Sequence, residues 1–352
     1  MMTCDKQTAV GRTAYFDYLR VLATFAVVIL HTAAQNWYAA DVNGWDWKVF
    51  NLYDGIVRWS VPVFVMISGA LFLDKDIPVK TIYTKYILRL FIAFTVWSGF
   101  YMLFVEGIVD TLLRHLMGGH YHMWFIPMII GLYMCIPLMK CIVKEECNMK
   151  YFLLLAFGFA VLLPSCIALV KDFGSGAIVL LADMAKQHAD NAGMQMVLGY
   201  SGYFVLGYYL SRIRLSKSWR LLIYLLGVLG FAGTVYLNQA YSLIQQTASG
   251  KYFDNMSVNV FLEALAVFVW FQYREYKSVK INDLVRKLSQ YSFGVYLVHV
   301  FLLEQLADRF GVDTLDFSAV VSVPAIGLLI FALSMAISAL LNHIPVIKKY
   351  IV

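Results

Sequence analysis

The residues best placed to do chemistry stand in the first apolar stretch. It reads Tyr15-Phe16-Asp17-Tyr18-Leu19-Arg20 and then runs without a charge to His31. A histidine exchanges protons near neutral pH, and an arginine holds anions through a rigid fork of N–H donors. Arg20 and His31 are eleven positions apart. At about 100° per residue that is about three turns, so on a helix both side chains share one face, roughly 16 Å apart along the axis. Asp17 precedes Arg20 by three positions, within pairing reach. Ionisable groups are costly inside a bilayer, and there they face a bundle interior or a wet cavity and mark function. The plainer alternative has Asp17 and Arg20 snorkelling to one interface and His31 hydrogen-bonded at the other. Two such groups on one face argue against it.

Further candidates are scattered along the chain. His299 lies in a late apolar stretch with Glu304 five positions on, about 140° round a helix, so the two need not meet. A helix-to-helix hydrogen bond explains His299 as well as catalysis does. His115, His120 and His122 crowd the segment before the fourth apolar stretch. They lack a rigid scaffold and an acidic partner, and no metal is expected there. His122, close to Trp124, is the best placed of the three to contact a substrate. Glu263 is expected to partner an arginine or histidine in the outer half, and His188 and His343 are expected at the interfaces. The five cysteines (Cys4, Cys135, Cys141, Cys147 and Cys166) show no CxxC pairing and no metal spacing, and read as free thiols.

The elements that must position these groups are membrane helices. The chain has 352 residues, 61% hydrophobic and only 14% charged, with a mean hydropathy of +0.69. Soluble domains carry about 25% charged residues, so this one lacks the charge to cover a water-facing surface. A bilayer core about 30 Å thick takes roughly 20 apolar residues per helix. Apolar runs fall near 14–35, 54–73, 82–105, 122–140, 151–170, 194–211, 219–238, 257–273, 290–307 and 318–342. An all-α integral membrane protein of about ten transmembrane helices is expected, in a single polytopic domain over residues 1–352 with no sizeable soluble part. Residues 1–13 are largely polar, and the stretch after them is too long for a signal-peptide core, so the first span is expected to be retained. Pro62, Pro127 and Pro137 fall inside spans, where neighbours can satisfy the freed carbonyls.

Orientation follows from the basic residues on alternate sides. Twenty lysines and arginines gather on one side and seven on the other, with Arg20 inside a span completing the 28. Both termini are therefore expected in the cytoplasm, Arg20 toward the inner face and His31 toward the outer. The net charge of +6 is this orientation signal; it implies contact with anionic lipid and calls for no nucleic acid. Two outer loops, 36–53 and 171–193, are expected to be polar. The first holds Trp37, Trp45 and Trp47, which read as an interfacial aromatic belt or a platform for sugar rings.

The segment from Tyr15 to His31 resembles the opening helix of the acyltransferase-3 family, membrane enzymes that acylate glycans, with its Arg-x10-His motif. Pro62-Val63-Phe64-Val65-Met66-Ile67-Ser68-Gly69 is similar to the family's second helix, and Lys85-Tyr86-Ile87-Leu88-Arg89 to the basic start of its third. Ser292-Phe293-Gly294-Val295-Tyr296-Leu297-Val298-His299 resembles its late Ser-x-x-x-Tyr-Leu-x-His helix. His122-Met123-Trp124-Phe125 is similar to a His-x-Trp-Phe stretch of some branches. The usual proline soon after the third-helix arginine is absent, the chain reading Leu90-Phe91-Ile92-Ala93.

The resemblance implies an O-acyltransferase of the stand-alone type, in the inner or plasma membrane. It would use cytoplasmic acyl-CoA, acetyl-CoA in the simplest case, as donor substrate with no tightly bound cofactor. The acceptor would be a surface glycan or lipid-linked saccharide. It casts His31 as general base, with Arg20 and Asp17 beside it in the catalytic set. Arg20 and Arg89 are cast as donor-binding residues, and Arg58, His122, Trp124 and His299 as acceptor-binding ones. A homodimer is compatible with this reading. The rival reading is an exporter or transporter of a polysaccharide or small solute. Transporters often show inverted repeats and paired broken helices, and no such pair is found between the halves.

Overall fold

The computed structural model describes residues 6–106 and 118–352, and within them side chains from residue 14 onward apart from 106 and 194–196. His115, Arg114 and Cys4 lie outside the described residues. In chain order the helices are α1 (Lys6–Ala34), α2 (Trp45–Gly55), α3 (Ser60–Phe72), α4 (Leu88–Tyr101), α5 (Phe125–Met134), α6 (Ile136–Val143), α7 (Glu146–Leu155) and α8 (Leu163–Phe173). They continue with α9 (Ala177–Ala192), α10 (Met194–Arg212), α11 (Lys217–Gln245), α12 (Val258–Gln272), α13 (Val279–Phe310), α14 (Ala319–Leu341) and α15 (Pro345–Tyr350). π-helical turns lead into α4 (Ile82–Ile87) and join α7 to α8 (Ala156–Leu162). No strand occurs among the described residues.

The side chains of α11 show which solvent made this fold. Its buried residues are Ile223, Gly227, Gly230, Thr234, Asn238 and Ser242, recurring every three or four positions. Leu221, Leu225, Val228, Leu229 and Tyr236 are exposed instead. Small and polar residues inside with large apolar ones outside invert the pattern of a soluble helix, and suit a helix whose outer face meets lipid.

Among the described residues, seven helical stretches are long and apolar enough to cross a membrane, and the pair broken at Cys135 makes eight. The ten expected runs are all helical, but α10 and α13 do not reach the same apolarity. The reason is visible in α13: its buried set includes Ser289, Ser292 and His299, so polar groups replace apolar ones where neighbouring helices take the place of lipid. The expected polar loops are corrected. Residues 45–55 form α2, which runs on with α3 as one apolar stretch, Trp45–Phe72, and residues 177–192 form α9.

The chain divides into two compact units, each assembled from separated stretches. The first comprises Met1–Asn36, Lys75–Pro137 and Tyr276–Val352. Within it α1 lies against α13 and α14, and α4 against α5 and α15. Phe94, Trp97, Tyr101, Met123, Ile126 and Leu297 fill its core. The second comprises Trp37–Asp74 and Leu138–Glu275. There α3 packs on α10, and α11 on α12. Gly69 and Gly207 let the α3 and α10 backbones touch: a Cβ on Gly69 would stand 1.7 Å from the Phe204 carbonyl oxygen, and one on Gly207 2.0 Å from that of Met66.

Candidate active site

The first unit gathers four histidines around the end of α1. The His31 ring lies 5.1 Å from His299 and 6.2 Å from His122, centroid to centroid, and His122 and His299 are 5.5 Å apart. Tyr121 stands 5.7 Å from His31. His31 is half-buried, while His122 and His299 are fully enclosed. The arrangement follows from α1 and α13 running side by side. Asp17 accepts a hydrogen bond from Ser289 Oγ at 2.7 Å, and about four turns farther along α1 His31 meets His299.

His120 and His122 come from the turn ahead of α5. Gly119 takes a left-handed conformation (φ +66°), and a Cβ there would press to 2.8 Å from the Phe94 ring, so glycine serves both the turn and the packing. The Met123 amide donates to the His120 carbonyl at 2.8 Å, and the buried Met123 side chain pins the 3-10 turn Tyr121–Trp124 to the core. His120 and His122 thereby turn inward, and Tyr121 between them stays exposed. Their Nδ1 atoms approach to 3.1 Å.

Three further groups hold the cluster. Tyr101 stacks on the His120 ring at 4.4 Å and 14°. Its hydroxyl donates to the Leu297 carbonyl at 2.9 Å and accepts from the Phe301 amide at 3.0 Å. Those are the two groups that an ordinary helical bond would join, so the hydroxyl bridges the α13 ladder on either side of His299. Tyr296 donates to the His122 carbonyl at 2.9 Å. Glu304 reaches His120 rather than His299, with Oε1 3.4 Å from Nε2. The expectation that the loop histidines lack an acidic partner is therefore corrected. Glu304 sits well round α13 from His299, as their spacing implied, and that turn aims it at His120. Among the described residues no group of three or more His, Cys, Asp or Glu side chains is arranged to hold a metal ion.

The other expected site residues lie elsewhere. Arg20 pairs with Asp17 at 3.9 Å, both partly exposed, down the helix axis from His31. Arg89 donates to the Val352 carbonyl at 2.5 Å and lies over the Phe293 ring. Trp124 is exposed beside Phe125. His188 and His343 are exposed. Arg58 belongs to the second unit, where it bonds to the buried Asp54 and lies 4.2 Å over the Phe253 ring. Glu263, also in that unit, accepts from Thr234 and interacts electrostatically with Arg58, whose direct ion pair is with Asp54. Trp37 is buried against Trp47 and Phe253, and Trp47 is fully enclosed. Only Trp45 of the three is exposed, so the expected tryptophan belt is mostly core.

Sequence reasoning missed Tyr101, met Tyr296 only inside the Ser-x-x-x-Tyr-Leu-x-His segment, and named His120 and Glu304 without pairing them. The one available signal was the His-x-His spacing at 120–122, which holds two imidazoles on one short turn. Among curated proteins and among solved structures, none matches the chain. A sequence profile described as an acyltransferase domain does match, over residues 13–343. That match takes in α1, α13 and the histidine turn together, nearly the whole chain: the protein belongs to the acyltransferase-3 family.

Proposed function

We propose that this multi-pass membrane acyltransferase moves an acyl group, acetyl in the simplest case, from cytoplasmic acyl-CoA to a hydroxyl of a surface or lipid-linked glycan. The observation that carries the reading is the convergence of His31, His122 and His299 within 5.1–6.2 Å. Acyl transfer needs a base for the hydroxyl proton, and imidazole suits that task near neutral pH. His31 takes the proton as the hydroxyl oxygen attacks the thioester carbonyl. The C–S bond then breaks, and the thiolate leaves with a proton returned to it. Of the three rings, His31 is the one that is only half-buried, which leaves it accessible to an acceptor.

Arg20, roughly 16 Å along the axis, serves the donor. Its guanidinium, steadied by Asp17, suits a phosphate or carbonyl oxygen of the acyl-CoA arm. Arg89 is the second donor contact, toward the nucleotide phosphates. With basic loops in the cytoplasm, the donor arrives at the Arg20 end of α1 and the acceptor at the His31 end. Trp124, exposed near the histidine turn, offers a flat face to a sugar ring.

The test is transfer of labelled acetyl from acetyl-CoA to glycan by the purified protein in lipid. His31→Ala is expected to lower the rate by about 10²–10⁴-fold, the range for loss of a positioned base, with insertion and folding unchanged. A His31→Ala protein that transfers at the wild-type rate removes His31 as the base. Mass spectrometry of surface glycans with and without the protein identifies the acceptor.

A further inference from the structure

The contacts around His120 determine where the protons of this cluster reside. A carboxylate only accepts hydrogen bonds, so His120 faces Glu304, 3.4 Å away, with its Nε2–H. A neutral imidazole has one N–H, so His120 Nδ1 carries a lone pair and takes the hydrogen of His122 Nδ1 at 3.1 Å. His122 is left with a bare lone pair at Nε2. That nitrogen is buried and has no hydrogen-bond partner among the described residues. A buried acceptor left unsatisfied is destabilising, and such a group calls for a reason of its own.

His299 makes an instructive contrast. Its Nδ1–H donates to the Val295 carbonyl at 3.1 Å, and its Nε2 is likewise bare and unpartnered. Behind its Nδ1, however, stands a neutral carbonyl. Behind His122 stand a second imidazole and then a carboxylate. Only the His122 chain can move an added positive charge away from the nitrogen that received it.

We propose that Glu304 and His120 are positioning residues that make His122 Nε2 a proton acceptor in acyl transfer; the proposal rests on the acyltransferase reading above. The proton that leaves the acceptor hydroxyl passes from His31 to His122 Nε2 through one hydroxyl or water between the two rings, whose centroids stand 6.2 Å apart, forming one N–H bond as another breaks. His122 then gives its Nδ1 hydrogen to His120 Nδ1. The positive charge now sits on His120, against the Glu304 carboxylate. When the thiolate departs, the protons shift back in the reverse order and one reaches sulfur. Over the cycle an O–H and a C–S bond break, a C–O and an S–H bond form, and the three relay groups regain their first state.

Nitrogen NMR of the ¹⁵N-histidine-labelled protein in lipid discs reads the tautomer directly, with the His122 signals assigned by their loss in His122→Gln. The expected pattern is a protonated Nδ1 and an unprotonated Nε2. Glu304→Gln, whose amide donates as well as accepts, is expected to mix the two tautomers. A proton on His122 Nε2 in the wild type overturns the proposal. In the transfer assay Glu304→Gln is expected to lower kcat about 10–100-fold, part of what a positioned base supplies, with KM unchanged and partial recovery in Glu304→Asp. Unchanged kcat in Glu304→Gln, beside an active wild type, removes the relay alone. A wild type that transfers no acyl group removes the enzyme reading and the relay with it.

Discussion

At the scale of single residues, the two ends of α1 call for different kinetic signatures. Arg20 is assigned to donor binding, so Arg20→Lys should raise KM for acyl-CoA, by about tenfold, and leave kcat near wild type. Lysine keeps the charge but not the planar fork that grips an oxyanion at two points. An unchanged KM would end the donor role. Tyr101 acts differently, because its hydroxyl bridges the Leu297 carbonyl and the Phe301 amide. In Tyr101→Phe those two groups can bond to each other, so thermal stability should fall by only about 1 kcal/mol. Closing the ladder moves the turn that carries His299, so acyl transfer should fall several-fold. Unaltered transfer would show that the bridge is merely structural.

At the scale of elements, two helix contacts in the second unit depend on small and amide-bearing side chains. Gly69 and Gly207 each sit where a Cβ would strike the facing backbone. Gly69→Leu should therefore push α3 off α10 and destabilise the protein by at least about 1–3 kcal/mol, the usual scale of overpacking. A melting temperature within a degree of wild type would contradict this close approach. Elsewhere in that unit, Asn238 donates to Asn51 Oδ1 at 2.9 Å and accepts from the Tyr252 amide. Asn238→Leu leaves both partners buried without it, at about 1–3 kcal/mol each. Melting in detergent checks the expected loss, and a stabilised variant would refute it.

At the scale of the whole molecule, the charge asymmetry of the loops sets a testable orientation. Twenty basic residues against seven predict a cytoplasmic position for the segments around Lys144, Lys217 and Lys277. The same asymmetry predicts that Asp254 and the Gly174 turn face outward. Single cysteines placed at these sites, in a background lacking the native thiols, should react accordingly with a membrane-impermeant maleimide. In intact cells Asp254→Cys should be labelled and Lys217→Cys should not. The opposite pattern would invert the protein and move the donor to the His31 end.

How much of this was legible in the sequence depends on the distance over which each feature is decided. Helices, their lipid-facing surfaces and the shared face of Arg20 and His31 are set by residues within a few turns of one another, and composition and periodicity report them. The same locality allowed the segment around α1 to suggest its family. The Trp37 and Trp47 core was not legible, because an aromatic residue near a membrane surface reads the same whether it meets lipid or Phe253. Nor was the histidine cluster. It joins residue 31 to 120–122 and to 299–304, stretches that no helical period connects. Glu304 shows the difference most plainly: its spacing said only that it need not meet His299, and the packing of α13 against the turn after Gly119 gave it His120. The sequence by itself determined a membrane helical protein with an Arg–His face on its first helix. The tertiary structure alone decided which imidazoles that face would meet, because side-chain convergence is a property of packed helices and not of any one of them.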